Sequence, residues 1–146
     1  VRLVIIGAVI DPAYAAQIQN QIQPLPWVIY LGEIPHQSMP GILALGDIVL
    51  NTSDSEGQPQ GALEAMSLAK PALMTAVPGN LNLITDGVEG FYVRDEADLI
   101  RAARILLGDP DLRKNMGAAA QKLVQNQFAV ENEWAAYAKL YRELLS

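Results

Sequence analysis

The chain has 146 residues, the size of one ordinary domain, and 51% of them are hydrophobic, enough for a sizeable core. Its formal net charge of −6 argues against a nucleic-acid-binding surface, which needs clustered Lys and Arg, but leaves room for a nucleotide held by backbone amides at a helix start. The absence of cysteine and the single histidine, His36, exclude disulfides, thiolate metal sites and multi-histidine zinc sites, and no apolar run approaches the ~20 residues of a membrane span.

In chain order, "LVIIG" at residues 3–7 is a short β-branched run ended by Gly, the signature of a buried strand. "DPAYAAQIQNQI" follows, with Asp11 as N-cap and Pro12 at the first helical position. "WVIYLG" is a second strand, "HQSMPGILALG" a short helix with Gly46 as C-cap, and "DIVLNT" a third strand. "PQGALEAMSLA" is a helix with Pro59 near its start, "PALMTA" a fourth strand, "GNLNLIT" a helical turn and "GFYV" a fifth strand.

Strand and helix alternate to residue 93, which predicts an α/β fold: a Rossmann-like parallel sheet with helices on both faces. The low share of charged residues, 18%, fits such a sheet buried on both sides or, alternatively, a face covered by something else. Residues 94–146 read as a helical tail of three segments. In the last of these Trp134, Tyr137, Ala138, Tyr141 and Leu144 form one apolar stripe, expected to pack onto the sheet or, alternatively, to dock onto a further domain. The opening at Val1, within a strand, reads as a cut at a domain boundary.

Ligands of an open parallel sheet sit outside the carboxyl ends of its strands, which brings four loops into play: residues 7–11, 32–37, 51–58 and 75–80. The richest is "NTSDSEGQPQ". Ser53 and Ser55 offer hydroxyls, Gly57 admits a close backbone approach, and the helix near Pro59 presents a positive dipole end suited to phosphate. A plain helix-capping turn would read the same way. Glu56 and Glu64 flank this start. Eight residues of helix would set them ~12 Å apart. Paired glycosidase carboxylates stand at ~5 Å or under ~10 Å, so acid–base work on one bond is a poor fit. The two ends of an extended nucleoside diphosphate sugar are a better one, with ribose hydroxyls on one carboxylate. Glu64 reads equally as a solvated helix residue.

No dinucleotide fingerprint, P-loop or nucleophile elbow occurs, and Asp54 stands outside any acidic cluster. His36 reads as a solvated or capping residue. Positive charge is scarce at the carboxyl edge, where only Arg94 follows a strand.

The stretch "TSDSEGQPQGALEAMSLAKPA" resembles the P-S-x-x-E-G-F-G-L-x-x-L-E-A-M-A-x-G-x-P-V pattern of retaining group 1 glycosyltransferases, relatives of sucrose and glycogen synthases. "VIYLGEIP", "ILALGDIVLNTS", "VPGNLNLITDGVEGFYV" and "LLGDPDLRKNMGAAAQ" extend the resemblance in order over nearly the whole chain. It implies one half of a GT-B fold, the donor-binding domain, spanning residues 1–146, with an acceptor domain elsewhere as its partner. Glu56 is then the catalytic-site carboxylate contacting donor sugar or phosphate. Glu64 binds ribose, and Ser53, Ser55, Gly57, Gln58 and Gln60 line the donor site. Tyr30, Leu31 and Gly32 lie by the base. The resemblance further implies a UDP- or GDP-linked substrate, retention at the anomeric carbon, no obligatory metal or cofactor, and cationic partners for the diphosphate upstream of Val1.

The protein is expected to be cytoplasmic, with no nucleic-acid partner and no transmembrane segment, any peripheral membrane contact falling to the acceptor half. The departures cluster at the donor loop: Gln58-Pro59-Gln60 replaces F-G-L, Ala69 replaces a Gly, and Asn82 replaces a Glu. They motivate the alternative of a non-catalytic binding or assembly module. A sugar-nucleotide epimerase lacks the spacing of Glu56 and Glu64.

Overall fold

The computed structural model describes residues 1–145, leaving aside the side chains of 130 and 131. It divides into two compact units, Val1–Gly41 and the chain from Ile42 onward. The first unit holds β1 (Leu3–Ile6), α1 (Pro12–Ile22) and β2 (Val28–Gly32). The helix starts where expected, since the Asp11 carboxylate accepts from the amides of Ala13 and Tyr14 at 2.9 and 3.0 Å. The two strands pair in parallel, with a register shift between Ile5 and Ile6. After β2 comes one 3-10 turn (His36–Ser38) and then α2 (Met39–Leu45), where one continuous short helix was expected. Exposed His36 opens that turn.

The second unit carries β3 (Val49–Asn51), α3 (Gln60–Ser67), β4 (Ala72–Thr75), β5 (Gly90–Val93), α4 (Glu96–Gly108), α5 (Pro110–Gln127) and α6 (Val130–Leu144). Its strands form a parallel sheet in the order β3-β4-β5. Helices α4 and α5 begin at Asp95 and Asp109, whose carboxylates accept from the amides of Asp98 (2.7 Å) and Leu112 (2.8 Å). The segment "GNLNLIT" lies in the expected turn, where the Leu81 amide bonds the Val77 carbonyl at 3.0 Å, and Asn82 there adopts φ 71°.

The central strand explains the apolar composition. Successive side chains of a strand point to opposite faces. Ala72 and Met74 pack with Ala62, Leu63 and Met66 of α3 and Ala120 of α5. Leu73, on the other face, packs with Ala102 and Leu106 of α4 and Met116 of α5. All three strand residues are fully buried, so β4 is sandwiched between helices as the continuous apolar run predicts.

The stripe on α6 departs from the expected packing onto the sheet. Trp134 is 73%, Tyr141 61% and Leu144 70% exposed.

Candidate functional site

The strands β3, β4 and β5 end at Asn51, Thr75 and Val93, and the polar residues of the second unit gather beyond the first two of these ends. Glu56, half-buried in the loop after β3, is the focus. Its Oε1 accepts from Asn51 Nδ2 at 2.8 Å and from Ser53 Oγ at 2.7 Å. Among the described residues no donor reaches Oε2. These donors hold the Glu56 carboxyl below its ordinary pKa, Ser53 contributing most and Asn51 next, against a smaller opposing effect of burial.

A second layer fixes the donors. The Thr75 hydroxyl donates to the Ser53 carbonyl at 2.6 Å. Asn80, fully buried, donates through Nδ2 to Asn51 Oδ1 at 3.0 Å and to the Thr75 carbonyl at 2.9 Å. The polarity of this chain of amides is dictated from one end. A carboxylate only accepts, so Asn51 turns its NH2 to Glu56 and its oxygen to Asn80, which must answer with its own NH2.

The loop carrying Asn80 is pinned by Tyr92 of β5. Its hydroxyl donates to the Asn80 carbonyl at 2.7 Å and accepts from the Ile84 amide at 3.2 Å. Gly79 packs so tightly onto Glu56 that a Cβ there would collide with the Glu56 carbonyl, a close approach only glycine allows.

Of the predicted site residues, Ser53 and Glu56 are brought into direct contact. Ser55, Gly57 and Gln58 are exposed on the same loop. Among the described residues, its two chain neighbours aside, nothing lies within 4 Å of where a Gly57 Cβ would stand, so packing does not require glycine there. Gln60 opens α3, and its side-chain amide donates to Gln58 Oε1 at 2.9 Å. Glu64 is half-buried on α3 between buried Leu63 and Ala65, at the burial boundary its neighbours indicate.

The spacing of the two glutamates differs from the sequence estimate. The helix begins at Gln60, so only half the interval from Glu56 to Glu64 is helical and the uniform rise behind ~12 Å does not apply. Pro59 occupies the N-cap position with no side-chain cap, and its ring is buried. The start of α3 therefore keeps its dipole uncapped by protein side chains.

Tyr30, Leu31 and Gly32 belong to the first unit. There the Tyr30 hydroxyl donates to the Gly7 carbonyl at 2.9 Å, and Gly32 takes φ 69° at the strand end. Arg94 is exposed and pairs with Asp98 at 3.8 Å. Sequence reasoning passed over Thr75, Gly79 and Asn80 as site residues, although it placed the 75–80 loop at the correct edge. The signal was the strand-end position, and what it lacked was the partner of each amide.

The chain belongs to the glycosyl transferases group 1 family, whose model matches residues 1–123. It is 27% identical over 144 residues to glycosyltransferase 1 domain-containing protein 1 of Xenopus tropicalis, an alignment covering 99% of this chain and 42% of that protein. Among solved structures it superposes on sucrose-phosphate synthase from Thermosynechococcus elongatus with a TM-score of 0.87, at 24% identity, covering 99% of this chain and 38% of the other. It superposes on Anabaena Alr3699/HepE, solved in complex with UDP and glucose, with a TM-score of 0.85 at 22% identity, covering 96% of this chain and 40% of the other. These likenesses establish the fold as half of a GT-B architecture, and the chain spans about two fifths of the length of each of these proteins.

Proposed function

We propose that this chain is the donor-binding half of an enzyme that moves a hexose-type sugar from a nucleoside diphosphate sugar to an acceptor, with retention at the anomeric carbon. The observation that carries the reading is the Glu56 carboxylate. It is fixed on one oxygen by Asn51 and Ser53, keeps capacity on the other, and stands at a strand's carboxyl end just before an uncapped helix start. A rigid ionised acceptor suits sugar hydroxyls, and the adjacent helix dipole suits the diphosphate. The UDP and glucose bound to the Anabaena neighbour agree with a ligand of this class.

In this reading Glu56 serves the sugar end, and Glu64 accepts from the ribose diol. Ser53, Ser55, Gly57, Gln58 and Gln60 line the diphosphate and sugar, while Tyr30, Leu31 and Gly32 border the base. Family membership and the polar strand-end loops support that assignment. The reading invokes no metal. In this reading the departing diphosphate draws its main cations from outside these residues, since Arg94 alone among the Lys and Arg residues follows a strand at this edge. It also takes the protein as cytoplasmic and the chain by itself as inactive, because sugar transfer needs an acceptor-bearing partner domain.

Calorimetric titration of the full-length protein with UDP, GDP and their glucose conjugates tests the reading. One nucleoside diphosphate should bind, and Glu64→Ala should weaken it about tenfold, the effect of losing hydrogen bonds to a charged group. Absence of binding to every nucleotide would overturn the donor site. A second reading, a non-catalytic binding module, is favoured by Pro59, which has no amide to give a phosphate at the helix start. Tight nucleotide binding with no sugar transfer to any acceptor or to water would select it.

A further inference from the structure

We propose that Asn51, itself oriented by buried Asn80, is a positioning residue that sets the Glu56 carboxylate for the donor. The inference rests on the donor-site reading of Glu56 and assigns a role to two residues to which the resemblance gives none. Three observations carry it. The contact is specific, since Asn51 Nδ2 meets Glu56 Oε1 at 2.8 Å and its other amide atom is claimed by Asn80 at 3.0 Å, so the side chain has one usable orientation. The arrangement is costly to the fold. Asn80 is fully buried, yet its Oδ1 has no hydrogen-bond partner among the described residues. A buried unsatisfied acceptor carries a desolvation penalty, and an apolar residue in its place would not. Both protons of its NH2 are nevertheless spent on the site, on Asn51 and on the Thr75 carbonyl that precedes the 76–80 turn.

The third observation is that the chain of amides transmits orientation rather than packing. Asn51 ends β3, in register with Met74 of β4, so its backbone is held by the sheet while its side chain reaches 5 residues ahead to Glu56. Ser53 alone would leave the carboxylate free to pivot about a single bond. The second donor, arriving at the same oxygen from the end of β3, narrows that freedom by fixing the place of Oε1 and leaves Oε2 open, and preorganised acceptors are worth more than mobile ones when charge and hydroxyls must be met in one geometry.

The test uses the full-length protein and four variants: Asn51→Leu, Asn51→Asp, Glu56→Gln and Asn51→Asp with Glu56→Gln. Asn51→Asp keeps the shape and the oxygen that Asn80 bonds while replacing the donor to Glu56 with an acceptor, so it stands in if Asn51→Leu does not fold. Sugar transfer by both single Asn51 variants should fall roughly ten- to hundredfold in kcat, with UDP or GDP affinity kept within about twofold. The double variant should be no slower than Glu56→Gln, because Asn51 acts through Glu56. Equal loss of nucleotide affinity and kcat, additive effects in the double variant, or unchanged kcat would each overturn the proposal. If Glu56→Gln itself left transfer unchanged, the donor-site reading would fall instead.

Discussion

At the scale of single residues, the loop after β3 shows that hydrogen bonds rather than charges tune the site. The groups that lower the Glu56 pKa are a hydroxyl and an amide, and no cation is among the causes. A carboxyl whose folded pKa lies below its unfolded value adds stability at pH above the unfolded pKa, and that contribution is lost as pH falls through the folded value. Removing a donor should therefore raise the Glu56 pKa toward the ordinary carboxylate range and shrink that contribution, the loss being complete at a higher pH. Ser53→Ala should move it further than Asn51→Leu, because Ser53 is the larger cause. Carbon-13 NMR titration of the Glu56 carboxyl reads this directly, and an unmoved midpoint in Ser53→Ala would refute it. Glu56 and Ser53 were legible in the sequence because they lie three residues apart in one loop. Thr75 and Asn80 were not, because which acceptor each would face is decided by parallel pairing of β3 with β4, a contact between segments more than 20 residues apart.

At the scale of elements, the end of α3 shows the consequence of one family departure. The amide of Ala69 bonds the Met66 carbonyl at 3.0 Å and that of Lys70 bonds the Ala65 carbonyl at 3.2 Å, the paired bonds of a Schellman ending. That ending places Ala69 at φ 59°, a left-handed conformation in which a Cβ crowds the backbone. The family pattern has Gly at this position, and the structure supplies the reason. Ala69→Gly should stabilise the chain by about 0.5–1 kcal/mol, the relief of strain exceeding the added unfolded-state freedom. An increased denaturant midpoint at constant slope would show it, and a decrease would refute it. The neighbouring position runs the other way. A Cβ at Gly117 of α5 would collide with the Ala69 carbonyl, so Gly117→Ala should push the helix from its seat and lower stability by roughly 1–3 kcal/mol. The helix start at Asp11 was readable from local capping chemistry. The turn at residues 79–85 was legible too, but its anchor was not, because the Tyr92 hydroxyl pins it from β5.

At the scale of the whole molecule, burial is distributed unevenly between the two units. Among the described residues every buried one lies in the second unit, around β4 and the helices that cover its two faces. The first unit has none: Tyr14 is 61% exposed, and an open apolar cleft of about 320 Å³ runs along α1, lined by Ile5, Val9, Tyr14, Ile18 and Ile22. Backbone hydrogen bonds resist opening in proportion to the apolar surface that must be exposed with them. Those of β1 and β2 are parallel-sheet bonds like those of β3, β4 and β5, so a difference in protection between the two sets would come from packing and not from bond type. For the 146-residue chain, amides of β4 should exchange with deuterium at the rate of global unfolding, while those of β1, α1 and β2 should exchange at least a hundredfold faster, a gap of about 2.7 kcal/mol in opening free energy. Mass-resolved exchange on peptides covering Leu3–Ile6 and Ala72–Thr75 separates the two sets. Equal protection in both peptides would show that the first unit draws stability from contacts beyond its own burial, and would overturn the argument that burial alone sets its order of opening.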